Sequence, residues 1–142
     1  MSQSAEQMIA QLQLQPHPEG GWYRETWRAA AAAGERGLAT SILFLLKAGE
    51  RSHWHRVDAA ELWIFQGGEP LTLRSHRDGT HVSTTLGLDI AAGQAPQHVI
   101  EPHEWQAADG PDTGWSLVAC VVTPAFDFAG FELAPRGWEP SV

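Results

Sequence analysis

Ser52-His53-Trp54-His55-Arg56-Val57 and, three residues on, Glu61-Leu62-Trp63-Ile64-Phe65-Gln66 read as two neighbouring strands of an all-β chain. Side chains alternate faces along a strand, so His53 and His55 are expected to point one way and Trp54 the other. Glu61 heads the second strand, and Trp63 and Phe65 follow it on the same face. If the shared face is the inside of a barrel, two imidazoles and a carboxylate converge there. That is the ligand set of an open facial triad for a divalent metal such as Fe, Mn, Zn or Ni. Trp63 and Phe65 would then stand in the cavity wall, suited to stacking on a planar or sugar-like ligand. With seven histidines in 142 residues, a His-x-His arises easily by chance, so the pair gains weight only from what surrounds it.

Upstream, Ser4 with Gln7 three positions later forms a capping box, and Met8, Ile9 and Leu12 follow at helical spacing, which predicts one short helix over about 4–13. Pro16, Pro18 and Gly20-Gly21 end it and lead into Trp22-Tyr23-Arg24-Glu25-Thr26-Trp27-Arg28, rich in β-formers. Tyr23, Glu25 and Trp27 fall on one face of that strand. Ala29 to Ala33, bracketed by Gly34 and Gly37, reads as a loose connection, and the apolar run to Leu46 as a buried strand. Further strands are predicted near 70–76 and 80–86, joined by the Arg77-Asp78-Gly79 turn, and near 97–101, 105–108, 115–122 and 128–133. About ten short strands with Gly and Pro punctuation imply an antiparallel sandwich or barrel in a single domain over 1–142, the barrel running from about 21 to 134.

Hydrophobic residues make up 43% and charged residues 18%, as in a globular chain, and no apolar stretch reaches the length of a membrane span. No basic segment followed by an unbroken apolar run opens the chain, so a cytoplasmic location is expected. Net charge is −8 and the nine basic residues are scattered, which argues against a nucleic-acid partner. Cys120 lies in Leu117-Val118-Ala119-Cys120-Val121-Val122 and reads as a buried, inert thiol. Seven tryptophans favour a ligand cavity or a subunit interface.

Gly49, His53-x-His55, Glu61 and Gly67-Gly68 in this order resemble the first motif of the cupin superfamily, with five residues between His55 and Glu61. His17-Pro18-Glu19-Gly20-Gly21-Trp22-Tyr23-Arg24-Glu25, Trp54-His55-Arg56-Val57, Glu61-Leu62-Trp63, Gly68-Glu69-Pro70-Leu71, Pro96-Gln97, Trp105-Gln106-Ala107 and Cys120 to Phe128 are similar to an uncharacterised cupin branch. The resemblance covers about residues 12–134. It implies a double-stranded β-helix, or jelly-roll barrel, forming a homodimer, with a small-molecule ligand inside the barrel. In the second cupin motif Gln106 stands in place of the histidine that completes the family's metal site, and Ala60 and Ala125 also depart from the branch's pattern.

Three functions follow as expectations. The first is proton transfer of isomerase or epimerase type on a small polar, sugar-like molecule. His55 acts as acid or base, Glu61 sets its tautomer or pKa, and Tyr23 is the proton partner. Glu25, Trp63, Phe65, Trp105 and Gln106 line the ligand site. This arrangement resembles that of cupin-fold sugar-nucleotide epimerases, which work without metal. The second is a metal-dependent dioxygenase or lyase centred on His53, His55 and Glu61, with Gln106 offering only a neutral amide oxygen. The third is a non-catalytic module that binds a metabolite. His17 and Glu19 read as turn residues or as a lid over the barrel mouth.

Overall fold

A computed structural model describes residues 3–141. The predicted helix is α1, Ala5–Leu12. The Ser4 hydroxyl accepts from Gln7 N (3.2 Å) and the Gln7 side chain accepts from Ser4 N (2.8 Å), so the capping box read from the sequence closes in both directions. Eleven strands follow among the described residues: β1 Gln15–Pro16, β2 Trp22–Arg28, β3 Thr40–Lys47, β4 Arg51–Val57, β5 Ala60–Gly68, β6 Leu71–Arg77, β7 Thr80–Leu86, β8 Gln97–Ile100, β9 Trp105–Asp109, β10 Trp115–Thr123 and β11 Phe131–Leu133. All pair antiparallel, in two sheets ordered β1-β2-β3-β10-β5-β8 and β11-β4-β9-β6-β7. The long jumps in these orders, β3 to β10 and β4 to β9, interleave the first half of the chain with the second, as in a jelly roll. No helix among the described residues is long and apolar enough to cross a membrane.

Between the sheets lies a core of Phe44, Leu46, Trp63, Phe65, Leu71, Leu73, Leu86, Ile100, Val118 and Cys120. Strict alternation along the first part of β5 places Trp63 and Phe65 there: Glu61, Trp63 and Phe65 are buried while Leu62 and Ile64 are half-exposed. Cys120 is buried as expected, and burial together with the nearby Glu61 and Glu19 pushes its thiol well above the usual range. Helix α1 lies outside the six-stranded sheet, where Met8, Ile9 and Leu12 cover Leu45 and Leu117. The β6–β7 hairpin turns at Asp78 (φ 51°) and Gly79 (φ 78°), the positive pair that a two-residue turn needs.

One predicted strand is shorter than read. Phe128–Gly130 form a single 3-10 turn, because the Asp127 carboxylate accepts the Ala129 amide (3.0 Å) and winds the chain before β11 begins at Phe131. Bulges interrupt three strands, between Glu25 and Trp27 in β2, between Ser52 and His55 in β4, and between Phe65 and Gly67 in β5 opposite Leu117 and Val118. Each bulge shifts the alternation by one and so re-aims the side chains beyond it.

The segment from His17 to Gly21 is pressed onto β4. His53 N donates to Glu19 O (2.7 Å), and His17 N donates to Gly21 O (2.9 Å). Gly20 has φ 106° and sits against the Arg51 carbonyl, so a Cβ there would overlap that oxygen. Gly20→Ala is therefore expected to destabilise the protein by about 2–4 kcal/mol, from positive-φ strain plus displacement of the loop from β4. Urea denaturation of the variant beside Gly34→Ala measures it. Gly34 also has positive φ, but nothing lies within reach of its Cβ, so only the strain is felt there.

Candidate functional site

A cavity of about 1080 Å³ opens at one end of the barrel. β2 contributes Tyr23, Glu25 and Arg28 to its lining, β3 contributes Thr40 and Ile42, β4 contributes His55 and Val57, and β5 contributes Glu61. The loop before β2 adds His17 and Glu19, the chain from Ala29 to Gly37 forms part of the rim, and Phe126, Phe128 and Phe131 supply aromatic wall.

His55 is the centre of the site. Its Nδ1 lies 2.7 Å from the His53 carbonyl oxygen, which can only accept, so Nδ1 carries a proton. Its Nε2 lies 2.8 Å from Glu19 Oε2. Burial alone would lower the pKa of this ring. The charge and hydrogen bond of Glu19, the charge of Glu61 and the bond to His53 outweigh burial and raise it to about 9. At neutral pH His55 is thus an imidazolium donating from both nitrogens. Burial would raise the pKa of Glu19, but the charge and hydrogen bond of His55 hold it below the usual carboxylate range. Glu61 goes the other way. Its own burial, reinforced by the charge of Glu19, pushes it up, and His55 and a hydrogen bond from Gln106 only partly offset the rise.

Behind the cavity floor a buried chain of hydrogen bonds holds Glu61. Trp63 Nε1 donates to Gln106 Oε1 (2.8 Å), which fixes the amide so that Gln106 Nε2 donates to Glu61 Oε1 (2.9 Å). Register brings these residues together, since Gln106 pairs with both His55 and Ser75 across the second sheet. His17 completes the interior. Its Nδ1 accepts the Glu19 backbone amide (3.2 Å), and its ring packs edge-on against Tyr23 with centroids 4.5 Å apart.

The structure brings together His55, Glu61, Tyr23 and Glu25 among the residues expected at the site, and places the others elsewhere. The bulge in β4 breaks the alternation that would have aligned the two histidines, and the His53 ring turns to the C-terminal segment, donating from Nε2 to Pro135 O (3.0 Å). Trp63, Phe65 and Gln106 lie in the packed interior rather than in the cavity wall. Trp105 is on the outside of its sheet, with the Arg56 guanidinium 4.6 Å above its ring and Trp138 against it. The bulge in β2 likewise carries Trp27 away from Tyr23 and Glu25 and leaves it 54% exposed. Glu19 and His17 are the residues that sequence reasoning undervalued. Their signal was the stretch His17-Pro18-Glu19-Gly20-Gly21, which reads as turn chemistry or a lid without saying that either side chain enters the barrel.

These placements bear directly on a metal. A centre built from His53, His55, Glu61 and Gln106 is not assembled: the His53 ring turns away to Pro135 O, His55 Nε2 is engaged by Glu19, and the Gln106 oxygen is taken by Trp63. Among the described residues no group of three or more His, Cys, Asp or Glu side chains is arranged to hold a metal ion.

The family model described as Cupin superfamily (DUF985) matches residues 6–134. A crystal structure of a protein from Shewanella oneidensis is 41% identical, with a TM-score of 0.89 over 94% of this chain and 85% of the other. A hypothetical protein from Leishmania major is 30% identical, with a TM-score of 0.86 over 93% and 88%. Oxalate decarboxylase from Bacillus subtilis shares the fold alone, at 14% identity and a TM-score of 0.62 over 83% of this chain and 29% of that one. No curated protein matches. The chain belongs to the cupin superfamily.

Because His55 holds its proton more tightly when folded, its contribution to stability is complete below the unfolded pKa of about 6.5 and is lost as pH rises through about 9. Urea midpoints measured from pH 6 to 10 are expected to fall across that window, and to fall less in His55→Gln. Glu19→Gln leaves the imidazole buried without its counter-charge. It is expected to cost about 3–5 kcal/mol and to lower the His55 pKa from about 9, read by histidine NMR.

Proposed function

We propose that the cavity receives a small polar molecule and that His55, paired with Glu19, moves a proton on it in a reaction of isomerase or epimerase type. The observation that carries this reading is the buried 2.8 Å contact between His55 and Glu19 on the wall of a cavity of ligand size. At neutral pH the resting site holds an ionised carboxylate able to accept a proton beside an imidazolium able to supply one. A second buried carboxyl, Glu61, has its pKa displaced in the opposite direction from that of Glu19. Carboxyl groups whose environments drive their pKa values apart are the usual means by which one site holds an acid and a base together.

Tyr23 and Thr40 line the same cavity with hydroxyl-bearing side chains, while Glu25 is engaged by Arg28 (2.7 Å). Phe126, Phe128 and Phe131 take the wall role that Trp63 and Phe65 were expected to play. A second reading, a binding module without turnover, draws on one observation: both His55 nitrogens are already engaged, so a ligand reaches either only by displacing Glu19 or the His53 carbonyl.

Solvent exchange separates the two. Incubated in D2O with a panel of uncharged aldoses and ketoses, the protein is expected to speed deuterium uptake at the carbon next to the carbonyl, followed by proton NMR. His55→Gln should slow it by about 100-fold or more. Uptake no faster than in buffer for every compound, or equal in His55→Gln, would leave only the binding reading.

A further inference from the structure

We infer that His17 is the hydrogen-bond donor for the substrate's carbonyl oxygen, and that this substrate carries no phosphate or carboxylate; the inference rests on the proton-transfer reading above. The argument begins with the tautomer. The Glu19 amide can only donate, so its 3.2 Å bond to His17 Nδ1 makes that nitrogen an acceptor and leaves the ring proton on Nε2. Nε2 has no hydrogen-bond partner among the described residues, although the side chain is only 6% exposed and the ring lines the cavity. Such a donor is satisfied only by what enters the chamber.

The ring is also kept uncharged. Burial lowers its pKa more than the charge of Glu19 raises it, and the imidazolium of His55 lowers it further. Tyr23, Phe44 and Phe131 enclose the ring edge-on, with centroids 4.5, 5.9 and 6.2 Å away, so it cannot turn to offer its other nitrogen without disturbing the wall. A neutral imidazole with a fixed Nε2–H is suited to polarising a carbonyl, because it stabilises developing negative charge without giving up a proton.

The step then balances with groups already present. The C–H bond next to the carbonyl breaks and its proton passes to the Glu19 carboxylate. Its electron pair forms the new C=C bond, and the carbonyl π pair moves onto oxygen, where His17 Nε2–H meets it. Return of the proton to the same carbon restores the carbonyl and completes an exchange or an epimerisation. For an isomerisation the proton returns to the former carbonyl carbon while the hydroxyl proton of the neighbouring carbon passes to the former carbonyl oxygen, which leaves the carbonyl on that neighbour.

Charge pairing sets the substrate class. Each cation in the lining is already neutralised: His55 by Glu19 (2.8 Å), Arg28 by Glu25 (2.7 Å) and Arg36 by Asp58 (2.8 Å). Glu61, Glu35 and Asp127 add further carboxyl groups to the lining. A phosphate or carboxylate would meet no uncompensated partner there and would have to break an existing pair.

Two measurements test the inference. Long-range nitrogen–proton correlation of the histidine rings should show His17 neutral with its proton on Nε2 at about pH 7 and above, and titrating below the ordinary histidine value. A ring that titrates near 6.5 or carries its proton on Nδ1 overturns the inference. In the exchange assay with dihydroxyacetone, His17→Leu should lose about 100-fold, and His17→Gln, which keeps an N–H at similar reach, should stay within about 10-fold of the parent protein. Exchange unchanged in His17→Leu but lost in His55→Gln overturns the role of His17 and leaves the proton-transfer reading intact. Tighter binding of dihydroxyacetone phosphate than of dihydroxyacetone overturns the substrate class. Exchange absent in the parent protein removes the proton-transfer reading itself, and this inference with it.

Discussion

The contact between His55 and Glu19 is an ion pair taken almost wholly out of water, and the rest of the site is arranged around making that tolerable. Desolvating two charges costs several kcal/mol for each ion, repaid only when geometry is close and the remaining polar atoms are bonded. Both conditions hold: the pair is 2.8 Å apart, and the other imidazole nitrogen donates to the His53 carbonyl at 2.7 Å. The same constraint explains the loop before β2. Glu19 reaches His55 only because Gly20 lets the chain lie against β4, and because the His53 amide is bonded to the Glu19 carbonyl. Fold and site therefore share their hydrogen bonds, and a loop that looks peripheral becomes part of the barrel's interior.

Glu61 shows the complementary arrangement. Its partners are neutral, an amide and a thiol, and both belong to residues locked elsewhere: Gln106 by Trp63 and Cys120 by the core. Neutral donors stabilise a buried carboxylate less than a cation does, so Glu61 rises in pKa where Glu19 falls. Two carboxyls facing one imidazolium thus behave differently because of their second partners. This also accounts for Gln106. In this setting an imidazole there would add another ionisable group, whereas the amide passes the Trp63 donor through to Glu61 and keeps the charge count of the floor unchanged.

Most of the fold was legible in the chain because its signals are local. The capping box of Ser4 and Gln7, the period-two pattern of β5 and the Asp78-Gly79 turn each determine their own geometry within a few residues. The site was legible in part, through His55, Glu61, Tyr23 and Glu25. What failed was phase. A strand's alternation predicts facing only while the ladder is unbroken, and bulges at Ser52/His55 and Glu25/Trp27 moved His53 and Trp27 out of the set. Glu19 was hidden for another reason: its partner lies thirty-six positions away, and nothing in the spacing of a glycine loop says which strand it will cover.

The rim differs from the floor in how it is held. The segment from Ala29 to Gly37 closes one side of the cavity but is fastened mainly near its ends, by Ala29 N to Ala39 O (3.0 Å) and by Arg36, which binds Asp58 at 2.8 Å and donates to Ala125 O at 2.7 Å. Alanines between these points offer little side chain to pack or to bond. The floor, by contrast, is a connected set of buried hydrogen bonds on three strands. The buried titratable residues thus sit on the rigid part, and the open edge of the cavity is built from the part with the fewest interactions to break. The chamber of about 1080 Å³ therefore has a floor of His17, Glu19, His55 and Glu61 held by close contacts, and a rim of Phe126, Phe128, paired surface charges and the alanine segment that is held by few.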